Sequence, residues 1–294
     1  MAKIAVIGSL SMDLVVSADK RPQAGETVLG NSFETVPGGK GANQAVAAAR
    51  LGAEVTMIGC VGNDSFGEVI LENLKANQVK TQYVEPVTHT RSGTAHITLA
   101  EGDNSIVVVK GANDFTTPEY VRKAETAIRD ADIVLIQFEI PAETVEYTAD
   151  LCERLGVPLL LNPAPARPVS MDVIAKSAFI TPNEHEFRIL FDGADRAEVL
   201  RKYPNKLIIT EGKKGVRFFN GEKEMAIPGV TVPVVDTTGA GDTFNAAFAV
   251  AIAEGKSMED ALDFANLAAA LSVTKFGAQG GMPTMDEVQR RKQG

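Results

Sequence analysis

Asp236-Thr237-Thr238-Gly239-Ala240-Gly241-Asp242-Thr243-Phe244 decides the fold of this chain. An extended segment enters it, and the apolar run from Phe244 to Ala253 leaves it and stops at Gly255. That run predicts a buried helix beginning near Ala240 or Gly241. Two glycines around one alanine let the backbone approach a ligand with its N–H groups unshielded. A helix N-terminus adds unpaired donors and partial positive charge, which attract phosphate. Asp242 falls in the first turn. A carboxylate does not bind phosphate, but it can take a proton from a hydroxyl that attacks one. The local reading is phosphoryl transfer to an alcohol. Taken alone, the motif is read first as an acidic residue complementing a helix dipole.

Working outward, helical and extended patterns alternate from about residue 41. Helices are predicted over 41–51, 65–76 and from Ser257 to about Thr274, the last opened by Ser257 and Asp260. Short apolar runs at 54–59, 132–138, 158–162, 179–181 and 206–210 are predicted strands. Continuous apolar strands separated by helices indicate a parallel sheet buried on both faces. The expected fold is α/β: a three-layer α/β/α core with a mostly parallel central sheet. Segments at about 11–18, 26–37 and 93–111 break the rhythm. In the last, Ala95, Ile97 and Leu99 alternate with polar residues, giving one dry and one wet face. They are read as a small antiparallel β lid inserted into a single domain spanning 1–294.

The 294 residues carry 29 basic and 38 acidic side chains, a net charge of −9. That balance argues against a nucleic-acid surface but leaves room for ATP, since backbone N–H groups can hold phosphate in an acidic protein. Cys60 and Cys152 lack metal or disulfide spacing and read as buried apolar residues. The strand-like N-terminus and the lack of a long apolar run lead to the expectation of a cytoplasmic protein with no membrane partner.

Three further turns carry chemistry. Pro37-Gly38-Gly39-Lys40-Gly41-Ala42-Asn43-Gln44 precedes a helix, and its glycines accommodate a sugar beside Lys40 and Asn43. It is neither a Walker A loop nor a dinucleotide fingerprint. Asn183 and Glu186 share a helix face suited to Mg²⁺ waters and phosphate oxygens, or else form a capping box. Thr210-Glu211-Gly212-Lys213-Lys214-Gly215 ends a core strand, where ligands of open α/β sheets bind.

Together with Leu161-Asn162-Pro163-Ala164-Pro165-Ala166, these motifs resemble the ribokinase-like carbohydrate kinase family, nearly end to end from Gly8-Ser9 to Gly277-Ala278-Gln279. The resemblance implies an ATP-dependent kinase acting on the 5-hydroxyl of D-ribose to give D-ribose 5-phosphate. Asp242 would be the general base, and Gly239, Ala240 and Gly241 the anion hole. Ser11, Asp13, Gly39, Lys40, Asn43 and Glu139 would hold the sugar. Asn183, Thr210, Gly212, Gly215, Gly241 and Asn266 would line the nucleotide site, with Glu186 near Mg²⁺. Asp236, Thr238, Val273, Phe276 and Ala278 would surround K⁺, and the lid would form a homodimer interface. Ser11 stands where many members carry asparagine, and Gly281 near where some offer a serine to the cation.

Other small sugars or nucleosides (deoxyribose, fructose, adenosine) are alternatives within the family. A nicotinamide dehydrogenase is disfavoured because Gly8-Ser9-Leu10-Ser11 lacks the required glycine turn. A non-catalytic sugar-binding protein would have no use for the carboxylate of Asp242.

Overall fold

The alternation of side chains along β1 (Lys3–Ile7) builds two hydrophobic layers at once. Ile4 and Val6 enter one apolar cluster, Ala5 and Ile7 the other, and all four are buried. A strand dry on both faces requires helices above and below it. The computed structural model describes residues 1–293. After β1 come β2 (Ser11–Ser17), β3 (Ser32–Gly38), α1 (Lys40–Arg50), β4 (Glu54–Gly62), α2 (Ser65–Ala76), β5 (Lys80–Val87), β6 (Gly93–Ala100) and β7 (Asp103–Val109). The middle of the chain holds α3 (Pro118–Arg122), α4 (Glu125–Arg129), β8 (Ile133–Ile136), α5 (Ala142–Leu155), β9 (Leu159–Leu161), α6 (Met171–Lys176), β10 (Phe179–Ile180), α7 (Glu184–Leu190) and α8 (Arg196–Lys202). It closes with β11 (Ile208–Thr210), β12 (Val216–Phe219), β13 (Glu224–Ile227), α9 (Ala240–Ala253), α10 (Met258–Ser272), α11 (Ala278–Gly281) and α12 (Met285–Gln293).

The central sheet has the order β10-β9-β8-β1-β4-β5, and every pair is parallel. Parallel bridges from Ile180 to Leu207 and from Asn183 to Thr210 lead on to the antiparallel sheet β11-β12-β13. Strands β12 and β13 are additions to the predicted set. The order reverses around β1, whose neighbours β4 and β8 are separated along the chain by α2, β5 and the strands β6 and β7. The crevice beyond the C-terminal ends of β1 and β8 is therefore where a ligand is expected.

The predicted lid is a four-stranded sheet, β3-β2-β6-β7. Its outer pairs are antiparallel as expected, whereas β2 and β6 run parallel. The reason lies in the core: β1 and β5 point the same way, and each passes into a lid strand at the same end of the sheet. Residues 26–31, expected in a strand, are not extended into the ladder, which begins at Ser32. A turn containing Gly25 at φ +79° and the Lys20–Glu26 ion pair occupies that approach.

Helix α9 lies between α1 and α10. Ala246, Ala247, Phe248, Ala249, Val250 and Ala251 are completely buried, and Phe248 meets Phe179 edge-on at 5.2 Å. Small residues bring the helices close, and a fully buried phenylalanine contributes about 1.5–3 kcal/mol. The start of α9 is thereby fixed against the sheet. Cys60 and Cys152 are free and buried, as predicted. Among the described residues no helix is long and apolar enough to cross a membrane.

Candidate active site

Helix α9 begins at Ala240 because Gly239 turns the chain with φ +77° and ψ 1°, a left-handed conformation that favours glycine. A Cβ at Gly239 would lie 2.9 Å from Cα of Ala278, so any side chain would also push the 277–281 segment away. Asp236 fixes the approach. Its Oδ1 accepts from the backbone N–H (2.9 Å) and hydroxyl (2.7 Å) of Thr238, and its Oδ2 from the N–H of Gly277 (2.9 Å). Burial works against the charge of Asp236, but these donors outweigh it and hold its carboxyl below the usual range. Gly241 faces open space, with nothing within 4 Å of where a Cβ would stand.

Asp242 is buried, and its two oxygens are held by side chains of α1. Asn43 donates from Nδ2 to Oδ2 at 3.0 Å, and Gln44 from Nε2 to Oδ1 at 3.1 Å. Burial pushes the carboxyl above the ordinary aspartate value. Lys40 and the two amides counter this, and Glu139 adds to it. The net direction is upward, a sign that competing effects left open in the sequence. Helix α1 can present these groups because its first turn lies almost on the end of β1: a Cβ at Gly41 would come within 2.6 Å of the Gly8 carbonyl carbon.

On the side facing the lid, Glu139 Oε2 accepts from the backbone N–H of Lys40 at 3.1 Å and from the Ser9 hydroxyl. Asp13, on β2, is half-buried. Burial first, then repulsion from Glu139 and Asp242, raises its carboxyl to about 7 despite Lys40. Gly38 leaves the room Asp13 needs, since a Cβ there would lie 2.4 Å from Oδ2. Burial opposes the charge of Lys40, yet Asp242, Glu139, Glu186 and Asp13 together raise its pKa. Gly39, with φ +88°, is the residue before α1. Asp13, Gly39, Lys40, Asn43 and Glu139 thus gather around Asp242. Ser11 is buried, and its hydroxyl accepts from Asn113 at 3.3 Å, a partner the sequence did not suggest.

Toward β10 and β11, Asn183 and Glu186 form a full capping box. Asn183 Oδ1 accepts from His185 and Glu186 N–H at 2.9 and 2.8 Å, and Glu186 Oε2 accepts from Asn183 N–H at 2.8 Å. Burial raises the Glu186 carboxyl, offset in part by the Asn183 N–H and Lys40. Thr210 ends β11, and Gly212 and Gly215 both have positive φ in the turn that follows. Glu211, which the sequence reading passed over, is clamped by Arg217 (3.0 and 3.1 Å) and Arg196 (3.1 Å), tying that turn to β12 and α8. Asn266 donates to the carbonyls of Ile227 and Pro228, both at 3.2 Å, joining α10 to the end of β13.

The segment expected around a monovalent cation is partly engaged. The Val273 carbonyl accepts from the N–H groups of Val235 (2.8 Å) and Asp236 (3.2 Å), which occupies both its lone pairs. Phe276 is half exposed and Ala278 is buried behind Gly239. A serine at Gly281 would need its Cβ 2.0 Å from the Ser272 carbonyl oxygen, so glycine is required in this conformation. Among the described residues no group of three or more His, Cys, Asp or Glu could hold a metal ion. A cleft of about 530 Å³ opens between the lid hairpin and this segment, lined by Asp13, Leu99, Ile106, Val235, Asp236 and Phe276 among others.

Beneath the site lies a polar network missed in the sequence. Gln44 reaches Asn162 (3.1 Å), Thr181 reaches Asn245, and Asn245 Nδ2 donates to the Gly241 carbonyl at 2.8 Å. The available signal was a polar residue inside each apolar run: Gln137 after Ile133–Ile136, and Asn245 within Phe244–Ala253. Buried polar groups survive only when paired.

Known proteins resemble this chain along nearly its whole length. Residues 1–285 match the pfkB family carbohydrate kinases. The ribokinase of Bacillus subtilis (strain 168) is 65% identical over 289 residues, covering 98% of this chain and 99% of that protein. The deoxyribokinase of Salmonella typhi is 38% identical over 295 residues, covering 97% and 96%. The structure of Arabidopsis thaliana ribokinase complexed with ribose and ATP superposes with a TM-score of 0.91 at 35% identity, covering 99% of this chain and 98% of that one. With the match spanning nearly its whole length, the chain belongs to the pfkB family of carbohydrate kinases.

Proposed function

We propose that this chain transfers the γ-phosphoryl group of ATP to the 5-hydroxyl of D-ribose, giving ADP and D-ribose 5-phosphate. The observation that carries the reading is the convergence of two glycine-rich turns on the buried carboxylate of Asp242, which Asn43 reaches from 199 residues away. Asp242 accepts the hydroxyl proton as the ribose oxygen attacks phosphorus and ADP leaves. Asp13, Gly39, Lys40, Asn43 and Glu139 orient the sugar; Ser11, already paired with Asn113, acts from behind them. The N–H groups of Gly239 and Gly241 serve the moving phosphoryl group across the open space at Gly241, while that of Ala240, which donates to the Thr237 carbonyl at 3.3 Å, would have to leave this partner to join them. Phosphoryl transfer depends chiefly on such positioning and charge stabilisation. Lys40 offsets the accumulated carboxylates and the incoming phosphate. Asn183, Thr210, Gly212, Gly215, Gly241 and Asn266 border the nucleotide, with Glu211 stiffening the turn. The lid excludes water.

A divalent ion accompanying ATP fits a site with one nearby carboxylate, because Mg²⁺ retains waters and takes much of its shell from phosphate. Glu186 would hold that shell through the oxygen its capping box leaves free. When bound, the ion neutralises charge on the phosphates. A monovalent cation, K⁺, fits the oxygen-only surroundings of Asp236, Thr238, Phe276 and Ala278, with Val273 engaged elsewhere. It would order the 236–239 turn. The outer lid strand offers Ile106, Val107, Val108 and Val109 to solvent, each at least 49% exposed. An open apolar edge of this kind favours pairing with a second copy, and we assign homodimerisation to it.

The test is a panel of ribose, deoxyribose, fructose, adenosine and fructose 6-phosphate with Mg-ATP, following ADP. Ribose should give the highest kcat/KM, because a site built to pair hydroxyls penalises a substrate lacking one. Equal efficiency with deoxyribose, or preference for a nucleoside, would overturn the ribose assignment.

A further inference from the structure

The two amides that hold Asp242 are not free to choose which end they present. A side-chain amide rotated by half a turn exchanges its N–H donors for a carbonyl acceptor. Here each is locked by a glutamine behind it. Gln137, directly after β8 and fully buried, donates from Nε2 to Gln44 Oε1 at 2.6 Å. Gln279, buried in α11, donates from Nε2 to Asn43 Oδ1 at 3.0 Å. Gln279 is oriented in turn by Asn73 of α2, whose Nδ2 donates to Gln279 Oε1 at 2.6 Å. The second donor of Gln44 is taken by Asn162 Oδ1 at 3.1 Å.

Gln137 carries a cost for the fold. Its Oε1 is buried with no hydrogen-bond partner and faces Gly8, where a Cβ would come within 2.0 Å. An unpaired buried carbonyl is destabilising. What Gln137 supplies in return is its one bond to Gln44.

We propose that Gln137 and Gln279 are positioning residues: by donating to the carbonyl ends of Gln44 and Asn43, they make both amides present N–H groups to Asp242. The inference rests on Asp242 being the general base. Neither glutamine is assigned a contact with substrate; each acts through the amide in front of it. With both locks in place the carboxylate is held in one orientation and kept available to accept a proton. The charged groups around it are Lys40 from α1, Glu139 after β8, Asp13 from β2 and Glu186 from α7. All four remain when the glutamines are replaced, so a changed pH response reports on the amides.

The experiment compares Gln137→Met and Gln279→Met, which keep length but cannot donate, with the unmodified enzyme and Asp242→Asn. Measured are kcat and KM for ribose across pH, with Tm as a check on folding. Expected is a fall in kcat of about 10- to 100-fold, as when outer partners of metal-site ligands are lost, with KM changed far less. The acid limb of kcat should move up by about one pH unit, since a carboxylate losing donors binds its proton more tightly. Asn73→Ala, on α2 and outside the pocket, should shift both readouts the same way by a smaller amount, and it decides the matter if a glutamine variant does not fold. A lowered Tm with unchanged kcat and acid limb would overturn the proposal. If Asp242→Asn is inactive while all three variants turn over normally, this inference alone fails; if Asp242→Asn is active, the base assignment beneath it fails.

Discussion

Asn43 donates from Nδ2 to Oδ2 of Asp242 at 3.0 Å, joining the helix that follows the first glycine-rich turn to the helix that follows the second. The bond makes the two motifs one unit. Each turn taken alone has an ordinary structural explanation, an N-terminal cap or a dipole complement. Their meeting on a single buried carboxylate does not, because burying a charge is costly unless specific partners offset it.

The first prediction concerns Asp13, whose folded-state pKa of about 7 lies above its ordinary 3.8. Below 3.8 the carboxyl is protonated in both folded and unfolded chains. Between these values the folded chain binds more proton, so stability falls as pH rises, and above about 7 the full penalty applies. Asp13→Asn should therefore raise Tm of the sugar-free protein at alkaline pH. The difference should close as pH falls toward 4. The same variant should bind ribose more weakly. A variant less stable than the parent at alkaline pH would contradict this account of the site's charge.

Gly239 and Gly241 should respond differently to alanine. Gly239 has φ +77° and no room beside Ala278, so Gly239→Ala should lower stability by about 1–3 kcal/mol and impair turnover. Gly241 has open space where a Cβ would go. Gly241→Ala should keep its Tm and lose kcat, because the methyl enters the path of the phosphoryl group. Normal kcat in Gly241→Ala would remove that turn from the anion hole.

Much of the fold was legible because burial writes period directly into sequence. Helices at 65–76 and after Ser257, and the apolar strands, lie where patterning predicts. The parallel pairing of β2 with β6 was not legible. It follows from where the core delivers two distant strands, which no local pattern records. Likewise Asp242, Lys40 and Asn43 were found through motif and resemblance. Gln137 and Asn245 were missed, because a polar residue inside an apolar run declares its burial and not its partner; Gln279 stood at the end of the matching stretch with nothing local to name Asn43 as its partner.

The cation proposal is tested through Asp236. K⁺ should raise activity over Na⁺ or a bulky organic cation at matched ionic strength. Asp236 also anchors Thr238 and Gly277 directly, so Asp236→Ala should lower activity in every salt and lose most of the K⁺ response. Indifference of the unmodified enzyme to the cation would leave Asp236 only the turn-anchoring role.

The central claim is that Asp242 removes the hydroxyl proton, and Asp242→Asn tests it most directly. The amide keeps the size of the carboxylate but cannot accept the proton, and loss of a general base costs about 10²–10⁴ in rate. ADP formation from ribose and Mg-ATP should fall by that factor or more, while calorimetry finds ribose and ATP still bound. Turnover near that of the unmodified enzyme would contradict the account.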